Sequence, residues 1–119
     1  MTYVDGFIVP VPKRKLGAYR KMANKAGKVW MEHGALQFHE SAGDDVPYGK
    51  RTSFPRSVKL KPTETVLFSW IVYRSRAHRD RVMKNVMADK RIADSMKGDI
   101  PFDAKRMIFG GFKMIVSHG

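Results

Sequence analysis

The sequence predicts an α+β domain with the element order β-α-β-β-α-β, and three observations support that prediction. Segments rich in β-branched and aromatic residues, or alternating in polarity, predict four strands at about residues 3–9, 35–42, 65–73 and 106–116. Apolar residues at three- and four-residue steps predict helices at about residues 12–33 and 75–89. This order matches the ferredoxin-like unit, in which both helices cover one face of an antiparallel sheet.

Residues with special backbone properties indicate where these elements begin and end. The first strand is predicted to stop at Pro10, and Pro12 suits the first turn of the following helix, where its missing N–H is harmless. Gly34 follows that helix at the position where a glycine commonly ends one. Ser75 is a favourable N-cap and is expected to start the second long helix.

Three further segments lie outside this regular order. Residues 43–63 form a long irregular stretch with several glycines and prolines, in which a helical turn is expected at about 55–59. Loops of this length are often functional, so this one is a candidate lid. Residues 89–97 are expected to form a short separate helix. Gly110 and Gly111 lie within the last strand, where paired glycines indicate a bulge or a close backbone approach.

Length and composition restrict the class of protein. The 119 residues fit one domain, spanning 1–119, and there is no cysteine, which excludes disulfides, thiolate metal sites and cysteine nucleophiles. The N-terminus does not read as a signal peptide, and no apolar run approaches the about 20 residues of a membrane helix. We therefore expect a cytoplasmic protein with no membrane partner.

The charge is strongly positive and unevenly distributed. The net charge is +12, and residues 12–33 and 74–91 each hold seven basic residues against one and two acids. Such an excess suggests an anionic partner. A solvated basic face is the favoured interpretation and a nucleic-acid interface the alternative, because strand 65–73 lacks the glycine and basic residue of RNA-recognition modules. The candidate phosphate contacts are Lys13, Arg14, Lys21, Lys25, Lys28, Arg76, Arg79 and Lys84.

The predicted sheet is apolar on both faces. Along strand 65–73, one face carries Val66, Phe68, Trp70 and Val72, and the other carries Leu67, Ser69, Ile71 and Tyr73. Solvated antiparallel sheets alternate apolar and polar residues, whereas sheets covered on both sides do not. Because two helices cover one face, we expect a second copy of the chain to cover the other as a homodimer. The alternative is that loop 43–63 folds over that face.

Eight stretches of the chain give it a family resemblance. They are Tyr3-Val4-Asp5-Gly6-Phe7, Ala42-Gly43-Asp44-Asp45-Val46, Ser53-Phe54-Pro55-Arg56, Val58-Lys59-Leu60-Lys61-Pro62, Phe68-Ser69-Trp70-Ile71-Val72-Tyr73, Ser75-Arg76-Ala77-His78-Arg79-Asp80, Pro101-Phe102-Asp103 and Gly110-Gly111-Phe112. With them the chain resembles the YbaA-like family of small bacterial proteins, also called domain of unknown function 1428. The resemblance implies a dimeric α+β barrel, in which two ferredoxin-like sheets pack face to face. It implies no reaction.

Two histidines are candidates for acid–base chemistry. His39 lies beside Glu40 on a strand, and His78 lies near the start of the second long helix, although either can equally be a surface residue. No two of the four histidines have the spacing of metal ligands, so no metal is expected. Haem-degrading barrels carry a Trp and a His on or after the second helix, and residues 79–97 contain neither, so no cofactor is expected.

Aromatic residues are the candidates for a ligand pocket. Trp70 and Tyr73 are expected to line a pocket between the helices and the sheet, although aromatics on a central strand are more often core. Phe54 and Tyr48 lie in the candidate lid. The predicted function is therefore a dimeric barrel that binds a small organic molecule, with or without cofactor-independent chemistry. The alternatives are a nucleic-acid-binding protein and a non-catalytic interaction module, and the sequence does not decide whether the chain is an enzyme.

Overall fold

The computed structural model describes residues 2–119 and has the predicted α+β order. Its elements are β1 (Tyr3–Pro12), a 3₁₀ turn (Lys13–Lys15), α1 (Leu16–Glu32), β2 (Gln37–Ala42), α2 (Phe54–Ser57), β3 (Glu64–Tyr73), α3 (Arg76–Met87), α4 (Lys90–Ser95) and β4 (Ile108–Lys113). The four strands form one sheet in the order β2-β3-β1-β4, and every neighbouring pair is antiparallel. β2 and β4 are therefore the edges of the sheet.

The first strand continues past the residue at which it was predicted to stop. β1 runs to Pro12, and Pro10 pairs with Val66 of β3. The carbonyl of Pro10 accepts a hydrogen bond from the Asp103 N–H at 3.4 Å, on the side away from β3. In an antiparallel strand the N and the carbonyl of one residue face the same neighbour, so the missing N–H of Pro10 faces the side where β4 has already ended. The proline therefore breaks no ladder bond.

The last strand is shorter than predicted, and its partner explains why. β4 ends at Lys113, which pairs with Tyr3 at the start of β1. Because the two strands are antiparallel, a longer β4 would need pairing residues ahead of Tyr3. The Met114 N–H still donates to the Thr2 carbonyl at 3.0 Å, and the chain then leaves the sheet.

The helix boundaries follow from local capping. The Ser75 hydroxyl accepts a hydrogen bond from the His78 N–H at 3.1 Å, which makes Ser75 the N-cap of α3 as predicted. Gly34 follows α1 with a φ of +108°, a backbone conformation that favours glycine. The helical turn expected at 55–59 forms as α2, and Ser53 caps it by accepting from the Arg56 N–H.

The helices cover one face of the sheet, called here the helix face. It carries the odd-numbered residues of β1 and β3 and the even-numbered residues of β2, as the strand registers show. Two apolar clusters lie between this face and the helices. The buried members are Tyr3, Val29, Ala35, Ile71, Tyr73, Val82, Val86 and Ile92 in one, and Val9, Val11, Tyr19, Ala23 and Leu67 in the other.

The opposite side of the sheet, called here the open face, is only partly covered. The loop after β2 packs over one corner of it, where the Phe54 ring meets the edge of the Phe68 ring at 5.9 Å. Large apolar side chains remain exposed, with Phe68 and Ile108 at 44% and Phe112 at 61%. The loop therefore does not cover this face, although it was one of the two coverings considered from the sequence.

Candidate functional site

Adjacent residues of the edge strand β2 point to opposite sides of the sheet. Glu40 pairs with Ser69 and lies on the helix face, whereas His39 pairs with Trp70 and lies on the open face. The His39 and Trp70 rings are tilted against each other with centroids 5.0 Å apart. The histidine chosen from the sequence is thus separated by the sheet from the carboxylate beside it in the chain.

Glu40 is the centre of a polar cluster between α1 and the sheet. The Tyr19 hydroxyl donates to Glu40 Oε1 at 2.9 Å, and the Ser69 hydroxyl donates a short hydrogen bond to the same oxygen. Within residues 2–119, Glu40 Oε2 has no hydrogen-bond partner. One carboxylate oxygen is therefore fixed by two hydroxyls, and the other is free to meet a ligand.

The surroundings change the acidity of this cluster. Although much of Glu40 is exposed along the sheet edge, its carboxylate lies against the packed helix. Burial raises the pKa of Glu40, and the hydrogen bonds from Ser69 and Tyr19 oppose that rise. Burial and the neighbouring Glu40 charge raise the pKa of Tyr19, so its hydroxyl keeps its proton and remains a donor. Glu40 accordingly takes up a proton more readily than an ordinary glutamate.

A groove of about 840 Å³ runs between α1 and β2 and reaches this cluster. Its apolar lining comes from Leu16, Ala23, Phe38, Ala42 and Leu67, and its polar lining includes Tyr19, Glu40, Arg20 and Lys21. A second groove of about 620 Å³ continues it along α1 and shares Ala23, Asn24 and Phe38 with it. The volume and the mainly apolar lining suit a small organic molecule. We call the two together the α1–β2 groove.

A second polar cluster lies under α3 at the other side of the helix face. Arg79 Nε donates to Asp5 Oδ1 at 3.1 Å, and Arg79 Nη2 donates to the Tyr3 hydroxyl at 3.3 Å. Trp30 Nε1 donates to the Tyr73 hydroxyl at 3.2 Å, and the Tyr73 hydroxyl lies near the Asp5 carboxylate. Burial raises the pKa of Asp5, and Arg79 opposes the rise. The members of this cluster satisfy one another, so it joins α3 to the sheet.

His78 belongs to this packed region and lies away from the α1–β2 groove. Its side chain is buried, and Nδ1 accepts from the Arg74 N–H at 2.9 Å. Its other ring nitrogen faces the backbone of Gly34, and its ring meets the edge of the Tyr73 ring at 5.9 Å. Burial lowers the pKa of His78, which keeps the imidazole neutral. These contacts give His78 a role in fixing the start of α3.

The four aromatic pocket candidates do not come together. Trp70 and Tyr73 are three positions apart along β3, so Trp70 lies on the open face and Tyr73 is fully buried on the helix face. The expectation that both line one pocket between helices and sheet is therefore not met. Phe54 lies over the open face, and Tyr48 lies in the loop with the Arg56 guanidinium 4.6 Å from its ring centre.

The basic candidates divide into two groups. Arg79 is held inside the Asp5 cluster and is not a free cation, whereas Arg76 is 68% exposed and makes only a weak surface contact with Asp80 at 3.8 Å. Arg79 was expected to contact phosphate, but its side chain lies under α3 against the sheet, where it binds Asp5. The other six are exposed and, within residues 2–119, have no carboxylate partner; they are Lys13, Arg14, Lys21, Lys25, Lys28 and Lys84.

Over residues 2–119, no three His, Asp or Glu side chains lie close enough together to hold a metal ion. No helix described there has the length and apolar character needed to cross a membrane.

Sequence reasoning missed Glu40, Tyr19 and Ser69 as a unit. A signal was present, because Ser69 interrupts an otherwise apolar strand face and therefore needs a polar partner. Because side chains alternate along a strand, the sequence alone places Glu40 and His39 on opposite faces of the sheet. Pairing Glu40 with Ser69 required the register between β2 and β3, and the contribution of Tyr19 required the position of α1.

Comparisons with known proteins agree with this fold. The family described as protein of unknown function DUF1428 matches residues 2–104. The chain belongs to that family. It is 47% identical over 116 residues to the uncharacterized protein YbaA of Escherichia coli strain K12, and also to YbaA of Shigella flexneri, in each case covering 98% of both chains. The family resemblance noted from the sequence is thereby confirmed.

A solved structure resembles the chain in fold. It comes from Nitrosomonas europaea, and its name proposes an antibiotic biosynthesis monooxygenase. The two share 13% sequence identity with a TM-score of 0.62, over 99% of this chain and 94% of the other. At that identity the likeness shows the fold alone, and it confirms the predicted α+β class.

Proposed function

We propose that this protein binds a small organic molecule in the α1–β2 groove and that Glu40 accepts a proton from it. The observation that supports this proposal is the asymmetry of the carboxylate, whose Oε1 accepts from two hydroxyls while Oε2 accepts from none of the described residues. A base needs a fixed orientation and an accessible lone pair, and Glu40 has both. The raised pKa of Glu40 also makes its carboxylate a stronger base than that of an ordinary glutamate.

The proposed step is a proton transfer and needs no cofactor. An O–H or C–H bond of the bound molecule breaks, its proton moves to Glu40 Oε2, and the electron pair stays on the ligand as an anion. Tyr19 and Ser69 keep donating to Oε1 throughout, so the carboxyl group does not rotate. The apolar side chains of Ala23 and Phe38 give the ligand body a surface to pack against.

The test is a thermal-shift screen of a metabolite library, followed by calorimetry on any compound that raises the melting temperature. The Glu40→Gln variant removes the base and keeps an acceptor oxygen at the same place. His39→Gln is the matched control, because it changes the adjacent residue on the opposite face. We expect the absorbance of a bound ionisable compound to shift to that of its anion in the wild type and in His39→Gln, without net proton exchange with the buffer, and no such shift in Glu40→Gln. A library without a single stabilising compound, or equal effects of both variants, would refute the proposal.

We also propose that a second copy of the chain covers the open face. The support is the exposed apolar surface of Phe68, Ile108 and Phe112 on this one face. Monomeric proteins rarely leave a large apolar patch open to water. A two-fold pairing of this face places the same apolar residues against each other. In that assembly His39 and Trp70 lie inside the interface and the α1–β2 groove stays open to solvent.

Analytical ultracentrifugation over a concentration series tests the dimer. Phe112→Glu places a charge on the open face and is expected to shift the sedimentation coefficient to that of a monomer. Ile115→Glu is the control, because Ile115 lies beyond the sheet and is 87% exposed. A wild-type chain that sediments as a monomer at micromolar concentration contradicts this assembly.

Nucleic-acid binding is a second candidate function, favoured by the six exposed cations that have no carboxylate partner among residues 2–119. Three of them, Lys21, Lys25 and Lys28, lie at four- and three-residue steps and form one stripe on α1. The logarithm of affinity falls linearly with the logarithm of salt concentration. If this stripe contacts phosphates, replacing all three lysines by Gln makes that slope less steep by about 3. If the wild type is not retained on DNA or RNA at low salt, the proposal of nucleic-acid binding is wrong.

A further inference from the structure

We propose that the ligand of the α1–β2 groove is an organic acid, whose anionic group binds Arg20 and Lys21 while its apolar body lies between α1 and β2. This inference rests on the proposed function, since it names the class of molecule for the same groove. From the sequence, Lys21 was singled out as a candidate phosphate contact and not as part of a ligand groove. Arg20 was not among the basic candidates at all.

The charges along the groove support a monoanionic ligand. The section that reaches Glu40 contains two cations, Arg20 and Lys21, and one carboxylate, Glu40. Within residues 2–119, neither cation is in an ion pair, whereas Arg91 in the continuing section is already bound to Glu32 at 2.7 Å. Two positive charges and one negative charge leave one charge uncompensated. A ligand with a single negative charge neutralises the section.

The positions of these groups separate the anion from the base. Arg20 and Lys21 lie on the exposed wall formed by α1, whereas Glu40 belongs to the opposite wall formed by β2. Tyr19, between them, points inward and keeps its hydroxyl on Glu40. A ligand lying across the groove therefore presents its anionic end to the cations and its reactive O–H or C–H to Glu40 Oε2.

The apolar lining determines the rest of the ligand. Ala23 and Leu67 form the apolar part of the groove floor, and Phe38 is an aromatic wall shared by both sections. Burial of apolar ligand surface against these side chains supplies affinity, and the cations supply selection for the acid over neutral analogues. An arginine beside a lysine suits a carboxylate, since the guanidinium binds both oxygens at once.

Matched pairs of acids and their primary amides test this inference. The pairs are 3-phenylpropanoate, 2-naphthylacetate and octanoate, each with the neutral amide of the same shape. Isothermal titration calorimetry at low ionic strength gives the dissociation constants for the full-length chain. We expect each acid that binds to do so about tenfold more tightly than its amide, the size of a charge-assisted contact.

The variants separate a groove effect from general surface charge. Arg20→Gln with Lys21→Gln removes two positive charges from the groove and is expected to abolish the preference for acids while amide binding persists. Lys25→Gln with Lys84→Gln removes the same charge from exposed positions outside the groove and is expected to leave the preference intact.

Each result has a separate meaning. Amides that bind as tightly as their acids overturn the inference and leave the proposed groove and base standing. The inference is also wrong if the Lys25→Gln and Lys84→Gln double variant loses the preference for acids over amides as fully as the Arg20→Gln and Lys21→Gln double variant does. Absence of binding by every acid, every amide and every library compound overturns the proposed function together with this inference.

Discussion

The clearest test of the packing is Gly111→Ala in β4, compared with the same change at its neighbour Gly110. A Cβ at position 111 would overlap the Tyr3 hydroxyl and the Arg79 guanidinium, because both lie directly over the backbone of β4. A Cβ at position 110 would only touch the Phe112 ring at 3.6 Å, an ordinary contact. Neither glycine has a positive φ, so the two variants differ in space and not in backbone strain.

The magnitude follows from what Arg79 does. To admit the new methyl group, Arg79 Nη2 and the Tyr3 hydroxyl must shift, which strains the adjacent hydrogen bond from Arg79 Nε to Asp5, a carboxylate that is 7% exposed. Overpacking a core costs about 1–3 kcal/mol, and removing one partner of a buried ion pair costs about 3–5 kcal/mol. Because Arg79 is partly exposed and relaxes in part, we expect about 3 kcal/mol for Gly111→Ala.

Urea denaturation followed by circular dichroism gives the free energy of unfolding of both variants. The protein concentration is held constant, since self-association contributes to apparent stability. In an Arg79→Ala background the Gly111→Ala change is expected to cost much less, because the group it displaces is already absent. If Gly111→Ala and Gly110→Ala differ by less than about 1 kcal/mol, the close approach of Arg79 to β4 is not what holds α3 to the sheet.

Two further predictions concern other contacts. Glu64 accepts two hydrogen bonds from Arg106, at 2.5 and 2.9 Å, and these lower its pKa from 4.5. Its stabilising contribution is therefore present above pH 4.5 and is lost as the pH falls, so Glu64→Gln should lose less stability than the wild type between pH 6 and pH 3 in urea titrations. Gly27→Ala should destabilise α1, because its Cβ would lie 2.9 Å from the Phe38 ring. A Cβ at Gly17 would have no described atom within 4 Å, so Gly17→Ala should stabilise the same helix by about 0.5–1 kcal/mol. Equal melting temperatures of the Gly27→Ala and Gly17→Ala variants would contradict this.

Sequence periodicity predicts the order of the elements, because side-chain patterns repeat every two residues in strands and every 3.6 in helices. The same alternation places Trp70 and Tyr73 on opposite faces of the sheet. The prediction that both line one pocket was therefore inconsistent with the strand period. The extension of β1 through Pro10 could not be predicted from its own residues. It depends on which neighbour the missing N–H faces, and therefore on where β4 ends.

The candidate site was harder to predict because its parts are distant in the sequence. Tyr19, Glu40 and Ser69 come from α1, β2 and β3 and meet through the sheet register and the position of α1. A histidine draws attention because its ordinary pKa lies near neutrality. Burial raises the pKa of Glu40, but burial is a product of the fold and has no local sequence signal.

The groove and the polar cluster have a common origin in small side chains. Ala23 and Gly27 on α1 and Ala42 on β2 leave space between the helix and the sheet edge, where bulkier residues would close it. The Phe38 ring packs against Gly27 and forms the wall, and Tyr19 reaches across to Glu40. If this side of the sheet served stability alone, larger apolar residues would bury more surface and stabilise the chain further. The small residues lower that gain and keep Glu40 Oε2 accessible, which is the arrangement that a ligand-binding carboxylate requires.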